Sequence, residues 1–223
     1  MADIFTVSEA GGRPGIKLSN EDFYLVQPHP DDPELIFCAV ADGQGGRAGG
    51  ACASEVACTA AFAAFGTFAP WRLAWERPWN QILQAADLAV KQEPQAGMTT
   101  LAMLCLRPQQ LIGISVGDSA VSLYNTADLQ PDRLTAKQRA NPPIGSGQAV
   151  GELFRSSLPT VYRLLLMTDG VWKYTGWDPI DKAVQGFQGD ALLAHLQQEA
   201  RPYGRGPFKD DFTLVLIERD KLS

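Results

Sequence analysis

A run of seven apolar residues, 35–41, lies near the start of the chain and ends at Asp42 and a glycine-rich stretch. Continuous apolar runs with many branched side chains are typical of strands buried on both faces. A carboxylate at the end of such a strand is costly unless a metal ion, a basic group or backbone amides compensate its charge. A second apolar run, 161–167, ends in the same way at Thr168-Asp169-Gly170. Two buried strands with the same ending indicate a common functional site.

The other hydrophobic and polar positions predict further strands and helices. Apolar runs or alternation predict strands at residues 4–8, 23–26, 99–106, 111–116, 120–124, 151–156 and 212–217. Helical periodicity predicts helices at residues 49–65, 79–91, 171–184 and 190–200. Because only short turns separate the three strands between residues 99 and 124, we expect an antiparallel meander. The i, i+4, i+8 spacing of Trp71, Trp75 and Trp79 indicates helical core packing rather than an aromatic cage.

Composition limits the class of protein. The length of 223 residues and 45% hydrophobic content suit a single globular domain. A formal charge of -6 with scattered basic residues argues against nucleic acid or an anionic membrane as partner. The N-terminal residues lack signal-peptide features, and no stretch is long enough to span a membrane. Four cysteines in apolar runs without CxxC spacing indicate reduced thiols in the cytoplasm rather than a zinc site.

The glycine-rich stretch after Asp42 has two interpretations. A Gly-x-Gly-x-x-Ala pattern that begins at Gly43 matches the loose form of the dinucleotide-binding fingerprint. However, Asp42 would repel the pyrophosphate, and residues 61–66, where a ribose-binding acid is expected, contain no acidic side chain. A metal site is therefore favoured. His29, which lies between two prolines, is expected in a turn rather than at the metal.

The candidate metal ligands are acidic residues at strand boundaries. Asp42 and Asp169 follow buried strands, and Asp210 precedes the last strand. Three more acids lie at similar boundaries, namely Glu21, Asp22 and Asp118. Oxygen ligands without nearby Cys or His select Mg²⁺ or Mn²⁺, and the Gly43 carbonyl would be a further ligand. Two such ions that share one carboxylate can hydrolyse a phosphate ester.

Six motifs in order along the chain resemble those of a known family, the metal-dependent PP2C (PPM) protein Ser/Thr phosphatases, in particular its compact bacterial members. The motifs are Asn20-Glu21-Asp22, Ala41-Asp42-Gly43-Gln44-Gly45-Gly46, Thr99-Thr100, Val116-Gly117-Asp118-Ser119, Thr168-Asp169-Gly170 and Asp210-Asp211-x-Thr213. The resemblance extends from Lys17 to Ile217. It implies an α+β fold, a four-layer α/β/β/α sandwich in which helices flank two antiparallel sheets packed face to face. One such domain would span residues 1–223.

The resemblance also implies roles for the acidic residues. Asp42 would bridge two ions of Mn²⁺ or Mg²⁺, Asp169 and Asp210 would complete one site, and the Gly43 carbonyl would belong to the other. These three aspartates would be the catalytic residues. A water bound to the metal would then attack the phosphorus in line, without a phosphoenzyme intermediate.

The remaining acids would complete the centre. Glu21 and Asp22 would bind the second ion or hold its waters, and Asp118 with Asp169 would form a weaker third site. The chain departs from the family pattern at the phosphate-binding arginine, where Lys17 stands and Arg13 is the nearest substitute. Lysine keeps the charge but loses the planar two-pronged contact. Gln44 replaces the histidine of eukaryotic members, which excludes a general acid at that position.

The function implied is hydrolysis of phosphoserine and phosphothreonine on proteins in the cytoplasm, by a monomer that works with a cognate Ser/Thr kinase. The first alternative is a catalytically weak or inactive copy that binds a phosphoprotein or a signalling partner. Three mutually repelling acids argue against it, since a binding module has no need of them. A second alternative is a hydrolase of small phosphate esters on the same fold.

The connection between residues 126 and 150 is short for this family. Leu134-Thr135 resembles the segment before the mobile flap of bacterial members, and Pro143-Ile144-Gly145 resembles the segment after it. We therefore expect the flap to be shortened or absent, and the cleft to remain open. An open cleft predicts weak sequence preference on isolated phosphopeptides.

Overall fold

The computed structural model of the protein describes residues 2–12, 19–44, 49–125, 130–138 and 141–219. This part of the chain forms two five-stranded antiparallel sheets. The first sheet contains, in spatial order, β1 (Asp3–Glu9), β10 (Phe212–Arg219), β9 (Tyr162–Met167), β6 (Ala120–Asn125) and β7 (Pro131–Arg133). The second contains β2 (Asp22–His29), β3 (Asp32–Asp42), β4 (Leu101–Leu106), β5 (Gln110–Val116) and β8 (Glu152–Ser157).

Helices cover the outer face of each sheet. In the described residues they are α1 (Gly50–Phe65), α2 (Glu76–Gln92), α3 (Asp169–Thr175), α4 (Trp177–Gly186) and α5 (Gly189–Ala200). Helices α1 and α2 pack on the second sheet, and α3 to α5 pack on the first. Alanines on the inner side of α1, such as Ala53, Ala57 and Ala61, are fully buried, since small side chains allow close approach to the sheet. The predicted four-layer sandwich is confirmed.

The apolar run of β3 is continuous because both faces of this strand are buried. Cys38 and Val40 point to the core between the two sheets, where Leu166 of β9 and Val215 of β10 also lie. The alternate residues, including Phe37, pack against α1 and α2. A strand with apolar layers on both sides has no polar face, so period-2 alternation is lost.

One strand lies in a different sheet from the one expected. The predicted meander would place β6 beside β5, but β6 pairs with β9 and β7 in the first sheet, and β5 pairs with β8. The chain changes sheets at the turn 117–119. Periodicity alone could not show this, because both sheets bury their inner faces in the same core.

The tryptophan tract also differs from the prediction. Residues Pro70–Ala74 form a 3-10 turn, and Trp75 has extended backbone angles, so no continuous helix carries the three indoles. Trp79 is fully buried and donates to the Leu73 carbonyl at 3.1 Å, whereas Trp71 and Trp75 are 68% and 65% exposed. Core packing holds for one tryptophan only.

Two smaller differences concern helix and hairpin ends. The helix expected at residues 171–184 is divided at Gly176, whose φ of 87° lies in the left-handed region that favours glycine. His29 ends β2 rather than lying in a turn. Its ring nitrogens are 3.0 Å from the Phe68 carbonyl oxygen and 3.1 Å from the Asp31 amide nitrogen, contacts that serve structure rather than metal binding.

Candidate metal centre

Four aspartates from separate elements line one pocket of about 440 Å³ at one end of the two sheets. Asp42 ends β3, Asp118 lies in the turn after β5, Asp169 begins α3, and Asp210 precedes β10. The expected convergence of these four strand-boundary acids is observed. Gln44, Asn141 and Pro143 are among the other lining residues.

Backbone and hydroxyl contacts fix the end of β3. The Asp42 amide donates to Thr100 Oγ1 at 2.9 Å, and the Asp42 carbonyl accepts from Thr99 Oγ1 at 2.8 Å and from the Thr100 amide at 2.9 Å. Thr100 Oγ1 is also 2.6 Å from Ser119 Oγ. None of these contacts uses the Asp42 carboxylate. The strand end is therefore held without neutralising the acidic side chain.

Antiparallel pairing brings the two acid-bearing ends of β2 and β3 together, as expected, because Asp22 lies directly opposite Asp42. Asp22 is buried, and its Oδ2 accepts a hydrogen bond from Thr168 Oγ1 at 2.8 Å. The Thr168 hydroxyl also accepts from the Thr213 amide at 3.2 Å. Asp22 is thus tied to the strand ends of the first sheet beside Asp169.

The backbone around Gly43 is crowded. A Cβ atom on Gly43 would lie 2.2 Å from the Gly50 carbonyl oxygen, and the Gly43 amide donates to the Glu21 carbonyl at 3.0 Å. A Cβ on Gly50 would in turn lie 3.1 Å from Glu21 Oε1. Only glycine at position 43 allows the start of α1 and the end of β3 to approach this closely, and Gly50 leaves room for the Glu21 side chain beside them.

Helix α3 joins two of the four aspartates. Trp172 Nε1 donates to the Asp118 carbonyl at 3.0 Å, which attaches the turn after β5 to the helix that begins with Asp169. Lys173 Nζ lies 3.1 Å from Asp169 Oδ2, while Asp169 Oδ1 is buried and has no hydrogen-bond partner among the described residues. Asp118 is exposed and lies at the rim of the pocket.

The electrostatic environment of Asp42 is strongly unfavourable to its charge. Burial, followed by the charges of Asp22, Asp169, Asp210 and Asp118, raises the pKa of Asp42 to about 9. Desolvation and then Asp169 raise the pKa of Asp118 as well. Like charges this close disfavour ionisation unless a cation stands among them.

The donor set fits a divalent metal ion. The pocket offers carboxylate, hydroxyl and amide oxygens, which are the ligands that Mg²⁺ and Mn²⁺ prefer. Within the described ranges no three acidic, histidine or cysteine side chains already form a ready-made metal cluster. The carboxylates lie close enough to raise one another's pKa. A bound ion would require their side chains to converge further.

Three residues that the sequence did not single out as site residues organise the centre. Asp211 is buried and accepts from the Gly11 and Glu21 amides, both at 2.7 Å, which anchors the two ends of the β1–β2 connection. Trp172 and Lys173 follow Asp169 on α3. The sequence shows Asp210-Asp211 as a motif, but only the structure shows that Asp211 binds the β1–β2 connection while Asp210 lines the pocket.

Lys17 and Arg13, the predicted phosphate-binding residues, lie outside the described residues. Among the residues that the structure describes, no helix combines the length and the hydrophobicity that a membrane span requires.

The fold is that of a class of solved bacterial phosphatases. It matches the serine/threonine phosphatase Stp1 from Staphylococcus aureus with a TM-score of 0.78 at 16% identity, over 99% of this chain and 96% of that chain. The Mycobacterium tuberculosis serine/threonine phosphatase PstP/Ppp matches with a TM-score of 0.75 at 21% identity, over 97% and 98% of the two chains. RsbX in complex with magnesium matches at 14% identity and a TM-score of 0.71, over 98% and 96%.

The family is shown by the sequence itself. Residues 16–199 match the family model described as protein phosphatase 2C, so the chain belongs to this family. The match ends before Asp210, whose position at the pocket comes from the structure. No curated protein sequence matches the chain.

Proposed function

We propose that the protein hydrolyses phosphoserine and phosphothreonine esters of proteins at a centre of two divalent ions, Mn²⁺ or Mg²⁺. The observation that carries this proposal is the convergence of four aspartates in one pocket, where the charges of the other three raise the pKa of Asp42. Such an arrangement is unfavourable without cations, and an oxygen-only donor set selects these two metals. Membership of the phosphatase family provides the reaction class.

The proposed ligands of the two ions are Glu21, Asp22, Asp42, Gly43 through its carbonyl, Asp169 and Asp210, and Asp118 belongs to the predicted weaker third site. By the family resemblance Asp42 would hold both ions, which agrees with the rise that its acidic neighbours cause in its pKa. Asp169 and Asp210 would complete one site. Gly43 would hold the second ion together with Glu21 and Asp22, and the contact of Asp22 with Thr168 keeps the Asp22 Oδ2 atom oriented.

Mn²⁺ or Mg²⁺, when bound, supplies a water nucleophile of lowered pKa and neutralises charge on the phosphoryl oxygens. The chain's own acids cannot receive a dianionic phosphate alone, because like charges repel. The phosphate therefore also needs a basic contact, and we propose Lys17 or Arg13 for it. Gln44 lines the pocket but cannot donate a proton as an acid.

Turnover of a phosphothreonine peptide and of an aryl phosphate tests this function, each with Mn²⁺, with Mg²⁺ and with a chelator. We expect hydrolysis of both substrates only with metal, and its loss in Asp42→Asn. The matched control is Asp190→Asn, an exposed acid in the first turn of α5, which should keep wild-type activity.

The alternatives give different results in the same experiment. Equal turnover with and without chelator, or in Asp42→Asn, would contradict a metal-dependent phosphatase. Binding of the phosphopeptide without turnover would support the inactive binding module. Turnover of the aryl phosphate alone would support a hydrolase of small esters.

We also propose that one domain spans the chain and that its flap is reduced. In the described residues between β6 and β8, one three-residue strand, Pro131–Arg133, and turns are present, and there is no helix. Asn141 and Pro143 line the pocket from this connection. A pocket wall of this kind leaves the cleft open, which supports weak preference among short phosphopeptides.

The partner that follows from this chemistry is a phosphorylated protein, which a cognate Ser/Thr kinase supplies. We propose a monomer, because residues of one chain complete the acidic pocket. All four cysteines are free thiols and three of them are buried, which supports a reducing compartment such as the cytoplasm.

A further inference from the structure

Lys173 lies beside Asp169, an acid of the candidate centre whose predicted role is to bind metal. It follows Asp169 by one helical turn, and its Nζ lies 3.1 Å from Asp169 Oδ2. Residues at i and i+4 share one face of a helix, so the lysine is directed to the same side as the aspartate. One oxygen of the Asp169 carboxylate thus contacts a basic side chain, and the other is buried without a hydrogen-bond partner in the described ranges.

Asp118 lies on the same side of the pocket. Its carbonyl accepts a hydrogen bond from Trp172, the residue before Lys173, at 3.0 Å. The turn that carries Asp118 is therefore attached to α3 next to Lys173. The lysine thus contacts one acid of the predicted third metal site and follows the residue that holds the turn of the other.

We propose that the Lys173 ammonium is a built-in cation on the Asp118 and Asp169 side of the pocket, and that it opposes binding of a third divalent ion there. This inference rests on the proposed function, in which two ions are bound and Asp169 is already a ligand of one of them. It reverses the expectation of a loosely bound third ion for the wild-type chain.

The physical reason is competition for the same oxygens. A divalent ion at Asp118 and Asp169 would have to displace the ammonium from Asp169 Oδ2 or bind beside a like charge. The lysine side chain is 53% exposed, so as an ion pair it contributes little to the stability of the fold. Its main effect is therefore electrostatic. The ammonium reduces the negative charge of the pocket but does not coordinate several carboxylates as a divalent ion does.

The test counts bound Mn²⁺ by isothermal titration calorimetry and by electron paramagnetic resonance of free Mn²⁺. We expect two ions for the wild type and for Lys173→Arg, which keeps the charge. Lys173→Gln, which removes the charge and shortens the side chain by one methylene, should bind a third ion at least about fivefold more tightly than the wild type, because like charges repel even near a water-exposed surface. Adding Asp118→Ala to Lys173→Gln should remove that ion again.

Lys182→Gln, an exposed lysine on α4, is the matched control and should bind Mn²⁺ as the wild type does. Equal numbers and affinities in the wild type and Lys173→Gln would overturn this inference while leaving the two-ion function intact. A wild type that binds three ions equally well would also overturn it. A wild type that binds no Mn²⁺ at all would overturn the proposed function and this inference together.

Discussion

Asp87 of α2 fixes the connection that we propose in place of a flap. Its Oδ1 accepts hydrogen bonds from the amides of Gly145 at 2.7 Å and Gly147 at 3.0 Å, and its Oδ2 accepts from the Ala149 amide at 3.0 Å. The side chain is 4% exposed. The neighbouring Ile144 pairs with Thr99 through its backbone, so a buried carboxylate holds this pocket wall in register with the end of β3.

Removing these contacts should cost a measurable share of the free energy of unfolding. A hydrogen bond to a charged group contributes roughly 1.5–3 kcal/mol, and the freed amides can recover part of it from water. We expect Asp87→Ala to lower the free energy of unfolding by about 3 kcal/mol. Asp87→Asn keeps the two bonds to Oδ1 but turns an amide group toward Ala149, which should cost about 1–2 kcal/mol.

Urea unfolding of both variants, with Gln84→Ala as an exposed control on the same helix, measures these effects. The peptide KM should rise in the order wild type, Asp87→Asn, Asp87→Ala, because Asn141 and Pro143 lose their support at the pocket. A loss below about 0.5 kcal/mol in Asp87→Ala would refute the reasoning, since surface substitutions alone reach that value. An unchanged KM despite the expected instability would show that this wall does not contact the substrate.

Three further predictions concern the charges of the site. Asp42→Asn and Asp169→Asn should each lower kcat by at least about 10³-fold at saturating Mn²⁺, because a lost ligand removes transition-state charge stabilisation; comparable rates would contradict the assigned roles. Since the pKa of Asp42 is raised to about 9, the folded chain binds more protons than the unfolded chain above about pH 4, so metal-free stability should fall as pH rises toward 9. Thermal unfolding in chelator should show this fall, reduced in Asp42→Asn, and a flat profile would oppose it. Lys17→Ala should raise KM and retain much of kcat, and Lys17→Arg should be tolerated. If Arg13 makes the phosphate contact instead, Arg13→Ala should raise KM in the same way. An unchanged KM in both alanine variants would place the phosphate contact elsewhere.

The sequence predicted correctly those strands and strand ends that a local run of residues determines. The run before Asp42 could be assigned to a buried strand because both neighbours of β3 are apolar layers, and the Asp42 and Asp169 endings marked the strand ends that meet. The four-layer fold came from the resemblance rather than from periodicity. The acidic pocket followed because carboxylates at strand ends have few alternatives to a shared cation.

Other features depend on contacts between distant segments. The change of sheet at β6 has no local pattern, because its residues are as apolar as those of a meander strand. The indoles of Trp71 and Trp75 have helical spacing, but the extended backbone at Trp75 breaks the helix. The anchoring by Asp211 and the pairing of Lys173 with Asp169 depend on which side chains the fold brings into reach, and their spacing in the sequence does not distinguish them from solvated charges.

The way in which the acids are held favours an enzyme over a binding module. Thr99 and Thr100 secure the end of β3 through its backbone, Asp211 anchors the Glu21 amide, and Trp172 secures the turn of Asp118. These contacts keep the acid-bearing segments together without neutralising the Asp42 carboxylate, whose neighbours oppose its charge. A fold that needed only to bind a phosphoprotein would be more stable with Asn at position 42, since the amide removes the repulsion. Keeping the acid makes physical sense when a divalent ion binds there, because the repulsion then becomes attraction for the ion.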